Sequence, residues 1–358
     1  MNSPLLFLVF LAAGWGILYL VHWVAYIPIA RVFNVSFPHA PLVLGVLAAS
    51  YFLASLGVRT LNSMVTDWLY FATATWLGVI FLLFSFVLVY QLTHVATGFD
   101  SRLVLGCLLV LVLTLSAYAL VHGRQLIVRE LTVSIEGLSA PIRLVHLSDI
   151  HVGTVHQKKY LERVVALTNE QKPDLVLVTG DLFDGSAPID KEILTPLNGL
   201  TAPSYFSNGN HEEYEGLERV KKTIDNLDMQ LLDNELVEQG ELQIVGVNDR
   251  QSLRTTTLAS VLSSLPIDSD RPTLLMYHTP VDWDVAREHG ADLMLSGHTH
   301  NGQLHPFNLL VRLFFKYING LYEVDGQYLH VSPGTGTWGP PMRLGSRNTI
   351  TVITLDPA

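Results

Sequence analysis

Two different hydrophobic patterns divide the chain near residue 121. Before this point, long apolar runs lack charged side chains, whereas beyond it short apolar runs alternate with amphipathic segments. The long runs cover residues 5–30, 41–58, 68–92 and 103–121. A helix needs roughly 20 apolar residues to cross the hydrocarbon core of a bilayer. The pattern therefore predicts a membrane domain of about four transmembrane helices over residues 1–121.

Two of these runs allow an alternative interpretation. Residues 41–58 form the shortest run, which also fits a re-entrant or interfacial segment. Residues 5–30 lie where a secretory signal would lie. However, no basic residue precedes this run, it is longer than the apolar part of a signal, and another apolar run follows closely. We therefore predict that residues 5–30 form a retained transmembrane span.

The remainder, residues 122–358, has the pattern of an α/β domain. Its short apolar runs predict strands at residues 142–147, 175–179, 204–207, 243–247, 273–277, 293–296, 328–331 and 349–355. Helical periodicity predicts amphipathic helices at residues 159–170 and 217–227. In a layered domain of alternating strands and helices, ligands bind beyond the carboxyl ends of the strands. The polar residues that follow each strand are therefore the candidates for a functional site.

Charge and cysteine content narrow the chemistry that this second domain can perform. Of the 22 basic and 32 acidic residues, all but three basic and two acidic ones lie beyond Val121, which leaves that part with a formal charge near −11. We expect no nucleic-acid partner, because affinity for nucleic acid comes mainly from Lys and Arg. The single cysteine, Cys107, lies in an apolar run, so an intrachain disulfide and a thiolate metal site are excluded. A phosphate substrate would need positive charge from bound metal ions.

Five short motifs follow predicted strands, and each contains residues that commonly bind metals. The motifs are Ser148-Asp149-Ile150-His151, Gly180-Asp181-Leu182-Phe183-Asp184, Gly209-Asn210-His211-Glu212, the single His278, and Gly297-His298-Thr299-His300. Residues two apart on an extended segment project to the same side, so Asp149 and His151 can share one ion. The same geometry is expected for His298 and His300. Glycines before three of the motif residues permit tight turns and close approach of the backbone to a charged site.

This order of motifs resembles the calcineurin-like metallophosphoesterase superfamily, whose signature runs D-x-H, G-D-x-x-D, G-N-H-[ED], a single H and G-H-x-H. The match covers roughly residues 142–355, and all five motifs are intact. The resemblance implies that the α/β domain is an α-β-β-α sandwich, so the expected fold is a multi-span α-helical membrane region followed by this sandwich. Residues 302–303, 320–322 and 334–341 resemble more specifically the membrane-anchored bacterial phosphoesterases, some of which hydrolyse UDP-diacylglucosamine. Asn301 departs from that group, in which glycine often occupies this position.

The resemblance also implies a role for each motif residue around two divalent transition-metal ions. The ligands would be Asp149, His151 and His300 for one ion, Asn210, His278 and His298 for the other, and Asp181 as a bridge between them. His211 would donate a proton to the leaving oxygen, and Asp184 would orient His211 and keep it protonated. Asp184 also fits an ordinary turn residue. Carboxylate, amide and imidazole ligands favour Mn, Fe, Ni or Zn over Mg or Ca.

The expected function is metal-dependent hydrolysis of a phosphoester or pyrophosphate bond. The alternative is a membrane-anchored sensor or scaffold that binds metal and phosphate without turnover. His211 favours the enzyme, because it binds no metal in this scheme. Residues 306–318 are rich in aliphatic and aromatic side chains and fit either a buried helix or an amphipathic lip on the bilayer. Such a lip would admit a lipid or a lipid-linked nucleotide to the metal ions.

Basic residues around the predicted spans favour a cytoplasmic position for the second domain. With four spans, Arg59, Arg124 and Arg129 fall on the side of the second domain, against Arg31 and Arg102 on the other side. Loops with more Lys and Arg tend to remain cytoplasmic. We therefore expect a multi-pass protein of the inner cell membrane whose hydrolase domain faces the cytoplasm.

Overall fold

The computed structural model describes residues 4–35, 37–61, 63–186, 191–253 and 256–358. The chain divides into two compact units, one formed by Met1–Val121 with Gly339–Met342 and the other by His122–Trp338 with Arg343–Ala358. The first unit contains four long helices, and the strands of the described chain belong to the second unit.

The four long helices of the first unit are apolar, and each is long enough to span a bilayer. They are α1 (Pro4–Phe33), α2 (Ala40–Leu61), α3 (Met64–Thr97) and α4 (Arg102–His122). Their membrane-compatible stretches measure 21 to 34 residues, above the roughly 20 residues that a span requires. The four predicted spans are therefore confirmed as helices. Residues 41–58 lie within the continuous 22-residue helix α2, which favours a full span over a re-entrant segment.

Caps and one polar cluster determine where these helices end. Ser63 caps α3 through a reciprocal pair of hydrogen bonds with the first helical turn. Gly98 ends α3 in the left-handed conformation, at a φ of 72°, which glycine adopts without strain. Just beyond it, Asp100 accepts hydrogen bonds from Arg31 at 3.1 Å and from Tyr90 at 2.7 Å. This cluster connects the end of α1 to the turn between α3 and α4.

Strands of the second unit form two six-stranded sheets. They are β1 (Leu126–Ile135), β2 (Ile142–Leu147), β3 (Leu175–Thr179), β4 (Ser204–Ser207), β5 (Gln230–Leu231), β6 (Glu235–Gln239), β7 (Leu242–Val247), β8 (Thr273–Tyr277), β9 (Leu293–Ser296), β10 (Gly320–Val324), β11 (Gln327–Val331) and β12 (Asn348–Pro357). The strand orders are β1-β12-β2-β3-β4-β5 and β10-β11-β9-β8-β7-β6. Strands β2 to β5 run parallel in the first sheet, and β7, β8, β9 and β11 run parallel in the second. Their carboxyl ends therefore meet at one edge of each sheet.

Helices cover the outer faces of both sheets. The helices of this unit are α5 (Lys158–Glu170), α6 (Lys191–Leu194), α7 (Asn210–Glu215), α8 (Leu217–Ile224), α9 (Arg250–Leu253), α10 (Leu258–Ser264), α11 (Trp283–Glu288) and α12 (Phe307–Phe314). Successive strand residues face opposite sides. Leu144 of β2 and Ile244 of β7 accordingly pack between the two sheets. Val145 packs with α5 on one outer face, and Val245 packs with α10 on the other. The unit is thus an α-β-β-α sandwich, as the resemblance implied.

The structure confirms the eight predicted strands and adds strands that the pattern did not indicate. The additions are β1, β5, β6 and β10. Strand β1 pairs in parallel with β12 along its full length, yet most of its residues are exposed or half-buried. A strand at the edge of a sheet lacks the continuous apolar run of a central strand, so its own residues do not reveal it. The helix predicted at residues 217–227 is α8, which ends at Ile224.

Candidate metal centre

The five motifs lie at the carboxyl ends of strands in both sheets. Strand β2 leads to Asp149 and His151, β3 to Asp181 and Asp184, β4 to Asn210 and His211, β8 to His278, and β9 to His298 and His300. The strands β2, β3 and β4 are parallel in one sheet, and β8 and β9 are parallel in the other. The structure therefore brings all nine predicted site residues together. His298 is half-buried, and the other eight are buried.

One group of three buried residues, which we call cluster A, consists of Asp149, His151 and His300. Their potential ligand atoms lie within 4.8 Å of one another. The Nε2 atoms of His151 and His300 are 3.0 Å apart, and the Nε2 of His300 is 3.4 Å from Oδ1 of Asp149. The buried Nδ1 of His151 has no hydrogen-bond partner among the described residues. Three buried donor atoms at these separations fit a single bound cation.

A second group, which we call cluster B, consists of Asp181, His278 and His298. The Nε2 of His278 lies 3.1 Å from Oδ2 of Asp181, without the alignment of a hydrogen bond. Asn210 adjoins this cluster, because its Oδ1 is 2.8 Å from Nδ1 of His298. The Oδ2 of Asp181 is also 3.9 Å from Nε2 of His151 in cluster A. The carboxylate of Asp181 therefore faces both clusters.

Many of the candidate ligands share an unusual backbone conformation. Positive φ angles between 49° and 68° occur at Asp149, His151, Asp181, His298 and His300. Residues other than glycine rarely adopt this left-handed region, because each such residue costs roughly 1–3 kcal/mol and persists only where the surrounding structure enforces it. The extended geometry predicted for the Asp149 and His298 motifs is therefore wrong. Tight turns after the strands, rather than extended segments, bring the paired side chains together.

The motif glycines lie where a side chain would collide with a candidate ligand. A Cβ atom on Gly180, which has a φ of 71°, would meet the imidazole of His278. A Cβ atom on Gly297 would meet the carboxylate of Asp149. The close approach of backbone to charged side chains that the sequence predicted is thus confirmed at both positions.

Burial and neighbouring charges set the protonation of the candidate ligands. Burial and the charge of His211 hold the pKa of His151 well below its usual range. Burial and the nearby His151 do the same to the pKa of His300. Burial opposes ionisation of Asp181, but the charges of His278 and His211 hold the pKa of that carboxyl well below its usual range. Burial raises the pKa of Asp149 in cluster A to about 6. Cluster A therefore presents neutral imidazoles, and the Asp181 carboxylate that faces it is ionised; both are forms that bind metal ions.

His211 lies beside both clusters, with its ring held by Asp184. The Nδ1 of His211 donates a hydrogen bond to the backbone oxygen of Asp184 at 2.6 Å, and its Nε2 is 4.0 Å from Oδ2 of Asp181. Burial opposes protonation, but the carboxylates of Asp181 and Asp184 raise the pKa of His211 above its ordinary value. Asp184 thus contacts His211 through its backbone, and its side chain contributes negative charge.

Glu212 is a buried residue to which the motif pattern assigned no role. Its carboxylate accepts hydrogen bonds from the backbone N–H groups of Asp181 at 2.9 Å, Gly209 at 2.6 Å and Phe183 at 3.1 Å. Burial and the adjacent Asp181 carboxylate raise the pKa of Glu212 to about 7. These three bonds fix the turns that follow β3 and β4. The sequence signal that could have identified Glu212 was its position as the last residue of the third motif.

Arg343 is fully buried and supports cluster A from the C-terminal part of the chain. Its guanidinium donates to the backbone oxygen of His300 at 2.9 Å and to Oδ1 of Asn348 at 2.7 Å. It also donates to the backbone oxygen of Gly336, whose own N–H donates to the backbone oxygen of Asp149 at 2.8 Å. Arg343 and this glycine loop therefore connect two ligand segments of cluster A. Sequence reasoning missed Arg343 because no local pattern surrounds it.

Comparison with known proteins identifies the family. Residues 142–302 match the family described as calcineurin-like phosphoesterase. A protein from Aquifex aeolicus, named as an uncharacterized metallophosphoesterase, is 32% identical over 253 residues, which cover 67% of this chain and 96% of that relative. The chain belongs to the calcineurin-like phosphoesterase family.

Other similar members of the family include one that is named as a transmembrane protein. An uncharacterized metallophosphoesterase of Helicobacter pylori is 36% identical over 236 residues, which cover 64% of each chain. A transmembrane protein with metallophosphoesterase domain from Danio rerio is 32% identical over 292 residues, covering 74% of this chain and 65% of the relative. The match thus spans just under two thirds of the length of these two relatives. The four apolar helices of this chain are long enough to cross a membrane, and the Danio rerio relative is named as a transmembrane protein.

The two clusters fit the divalent metal ions that metallophosphoesterases use. The Nε2 atoms of His151 and His300, at 3.0 Å, must either share a proton or both face a cation. The depressed pKa of each ring keeps both imidazoles neutral, which is the form that binds a cation. Imidazole and carboxylate donors also match the preference of divalent transition metals.

Proposed function

We propose that this phosphoesterase hydrolyses a phosphoester or pyrophosphate bond at a dinuclear metal centre. Cluster A would hold one ion, cluster B with Asn210 would hold the other, and Asp181 would bridge them. The main support is the position of Oδ2 of Asp181, which lies 3.1 Å from Nε2 of His278 and 3.9 Å from Nε2 of His151. A carboxylate within reach of both clusters suits two ions that act on one phosphoryl group.

The proposed chemistry divides between the ions and His211. Two bound ions would polarise the phosphoryl oxygens and lower the pKa of a nearby water molecule. His211 would protonate the leaving oxygen through its Nε2, because its Nδ1 is engaged by the backbone of Asp184. The raised pKa of His211 keeps the ring protonated before the transfer. The donor set supports Mn, Fe, Ni or Zn rather than Mg or Ca.

A membrane-anchored sensor or scaffold that binds metal and phosphate without turnover is the second candidate. Such a protein would need both clusters, but it would have no use for a positioned proton donor. His211 is oriented by a 2.6 Å hydrogen bond, and its Nε2 remains on the side of the metal ligands, 4.0 Å from Asp181. This arrangement favours hydrolysis over binding alone.

Removing bound metal with a chelator should abolish hydrolysis, and adding back a suitable divalent ion should restore it. We expect Mn, Fe, Ni or Zn to restore more activity than Mg, because imidazole ligands favour these ions. The measurement is a phosphatase and phosphodiesterase assay on the metal-stripped full chain, with each ion supplied separately. Undiminished hydrolysis by the stripped protein would exclude a metal-dependent mechanism. Metal and phosphate binding without hydrolysis of any ester would favour the sensor.

An exposed apolar surface on α12 supports a lipid or lipid-linked nucleotide as the substrate. The exposed fractions are 62% for Leu309, 76% for Leu313 and 80% for Phe314, so a buried helix does not describe these residues, which we call the apolar lip. Phe315 follows the lip, and its ring centroid lies 5.3 Å from that of His298. An exposed apolar surface beside a candidate ligand would keep an acyl chain in apolar surroundings while its phosphate reaches cluster B.

The proposed location is the inner cell membrane, with the phosphoesterase domain on the cytoplasmic side. The excess of basic residues on the side of the domain, from Arg59, Arg124 and Arg129, supports this orientation.

Replacing Leu313 and Phe314 with Ser should slow hydrolysis of a long-chain phospholipid-like ester more than hydrolysis of a small soluble ester. Apolar contact contributes about 25 cal/mol per Å² of buried area, so we expect a loss of about 10- to 100-fold in kcat/KM on the long-chain substrate. Phe315 is left unchanged because its ring contacts His298. The measurement compares kcat/KM on a vesicle-embedded ester with kcat/KM on a soluble ester.

A matched control removes exposed apolar side chains elsewhere on the domain. Val128 and Val324 are 36% and 37% exposed, and neither belongs to the lip or to the metal centre. The double variant Val128→Ser and Val324→Ser should retain the wild-type ratio between the two substrates. Equal losses on both substrates together with a lower melting temperature in the lip variant would show that Leu313 and Phe314 stabilise the fold instead.

A further inference from the structure

Two half-exposed aromatic rings flank His211. The ring centroid of Tyr214 lies 5.0 Å from that of His211, and the ring centroid of Trp338 lies 5.9 Å from it, at interplanar angles of 68° and 79°. Tyr214 is 50% exposed and Trp338 is 52% exposed. Tryptophan is highly buried on average, so a half-exposed ring of this size beside a candidate proton donor is informative.

The backbone around Trp338 is fixed by contacts that do not involve its ring. The N–H of Trp338 donates to Oε1 of Gln303, and Nε2 of Gln303 donates to the backbone oxygen of Trp338, each at 2.9 Å. The preceding N–H, of Thr337, donates to Nε2 of His156 at 2.9 Å. Gln303 and His156 are themselves buried. The domain thus holds the Trp338 ring beside His211 without burying it.

The position of Tyr214 follows from the short helix α7. Tyr214 lies three residues after His211 on this helix, and residues at that spacing share one helical face. The ring of Tyr214 therefore stands next to the imidazole of His211, which the ring of Trp338 also contacts. Phe315, in contrast, contacts His298 of cluster B.

We propose that Tyr214 and Trp338 bind the leaving group of the substrate, and that this leaving group carries a planar aromatic ring. The proposal rests on the proposed role of His211. The oxygen that accepts a proton from His211 must lie within hydrogen-bond distance of its Nε2, so the group attached to that oxygen reaches the two rings. Aromatic side chains bind planar rings through offset-stacked and edge-to-face contacts. The lip would then contact one end of the substrate and the aromatic pair the other.

Three phosphodiesters that differ only in the leaving alcohol test this subsite, namely the 2-phenylethyl, 2-cyclohexylethyl and ethyl esters. These alcohols have similar acidity, so differences in kcat/KM report recognition. We expect the wild-type enzyme to prefer the phenyl ester over both others. Trp338→Ala should lower the phenyl-to-ethyl ratio of kcat/KM by about 5- to 150-fold, the range expected for loss of one aromatic stacking contact. Trp338→Phe should restore most of the ratio, and Val324→Ala, outside the site, should keep it.

A binding measurement separates this proposal from the proposed hydrolysis. Calorimetry with 2-phenylethylphosphonate and ethylphosphonate on the metal-loaded full chain requires no turnover. A phenyl preference in the wild type that Trp338→Ala and Tyr214→Ala reduce would support the subsite, even if no ester were hydrolysed. Equal affinities for the two probes in the wild type would overturn it, whatever the rates. Equal kcat/KM values for the cyclohexyl and phenyl esters would contradict the proposed preference for a planar ring, because they would show that the subsite accepts any apolar group of this size.

Discussion

Replacing Asp181 with Ala should abolish hydrolysis and lower the metal content of the protein. The Oδ2 of Asp181 lies 3.1 Å from Nε2 of His278 and 3.9 Å from Nε2 of His151, so one substitution removes a donor from both clusters. Metal ions contribute several kcal/mol of transition-state stabilisation, which corresponds to a loss of at least about 10³-fold in kcat. Inductively coupled plasma mass spectrometry on the purified full chain would report metal ions per protein, and a phosphodiesterase assay would report the rate.

The variant Asp181→Asn separates metal binding from support of the fold. The Oδ1 of Asp181 accepts the backbone N–H of His211 at 2.9 Å, and an Asn amide oxygen retains this acceptor. Asp292→Asn is a matched control, because Asp292 also accepts a backbone N–H, from Thr273 at 2.7 Å, but belongs to neither cluster. The control should keep its metal and its activity. Two tightly bound ions per chain and a normal rate in Asp181→Ala would refute the dinuclear assignment.

His211→Ala should lower kcat by about 10²- to 10⁴-fold while leaving the metal content unchanged, because it removes a proton donor and no proposed ligand. The loss should be smaller for a nitrophenyl ester than for an alkyl ester. A nitrophenolate leaves readily without protonation, whereas an alkoxide needs the proton. The measurement is kcat on both esters, together with metal analysis of the same preparation.

The metal analysis makes this a strict test of the role of His211. Donor atoms of His151, Asp184 and His211 also lie within 4.8 Å of one another, so a ligand role for His211 is a definite alternative. Loss of metal from His211→Ala would support that alternative. Equal losses on the two esters would contradict the proton-donor role. His289→Ala is the matched control, since His289 contacts Ser263 at 3.1 Å, outside the metal centre, and should leave both measurements unchanged.

Local residue patterns were sufficient to predict the four long helices, two helices of the second unit and its central strands. An apolar run that crosses a bilayer must satisfy its backbone polar groups internally, so α1 to α4 follow from hydropathy alone. Strands β3 and β8 are buried at every position, and such strands are continuous apolar runs in the sequence. Because ligands of α/β domains gather at the carboxyl ends of strands, the residues after each run were the candidates for a site, and the structure brings them together.

Contacts between segments that are distant in the chain determined the geometry of the metal centre, the role of Arg343, the edge strand β1 and the exposed surface of α12. His151 and His300 are 149 residues apart in the chain, yet their Nε2 atoms lie 3.0 Å apart in turns whose left-handed backbone no local pattern indicated. The role of Arg343 depends on carbonyl groups presented by other segments. The edge strand β1 is defined by its pairing with β12, and the 80% exposure of Phe314 depends on which segments of the described chain pack against α12. Each of these features depends on which surfaces meet after folding, and a short stretch of sequence does not contain that information.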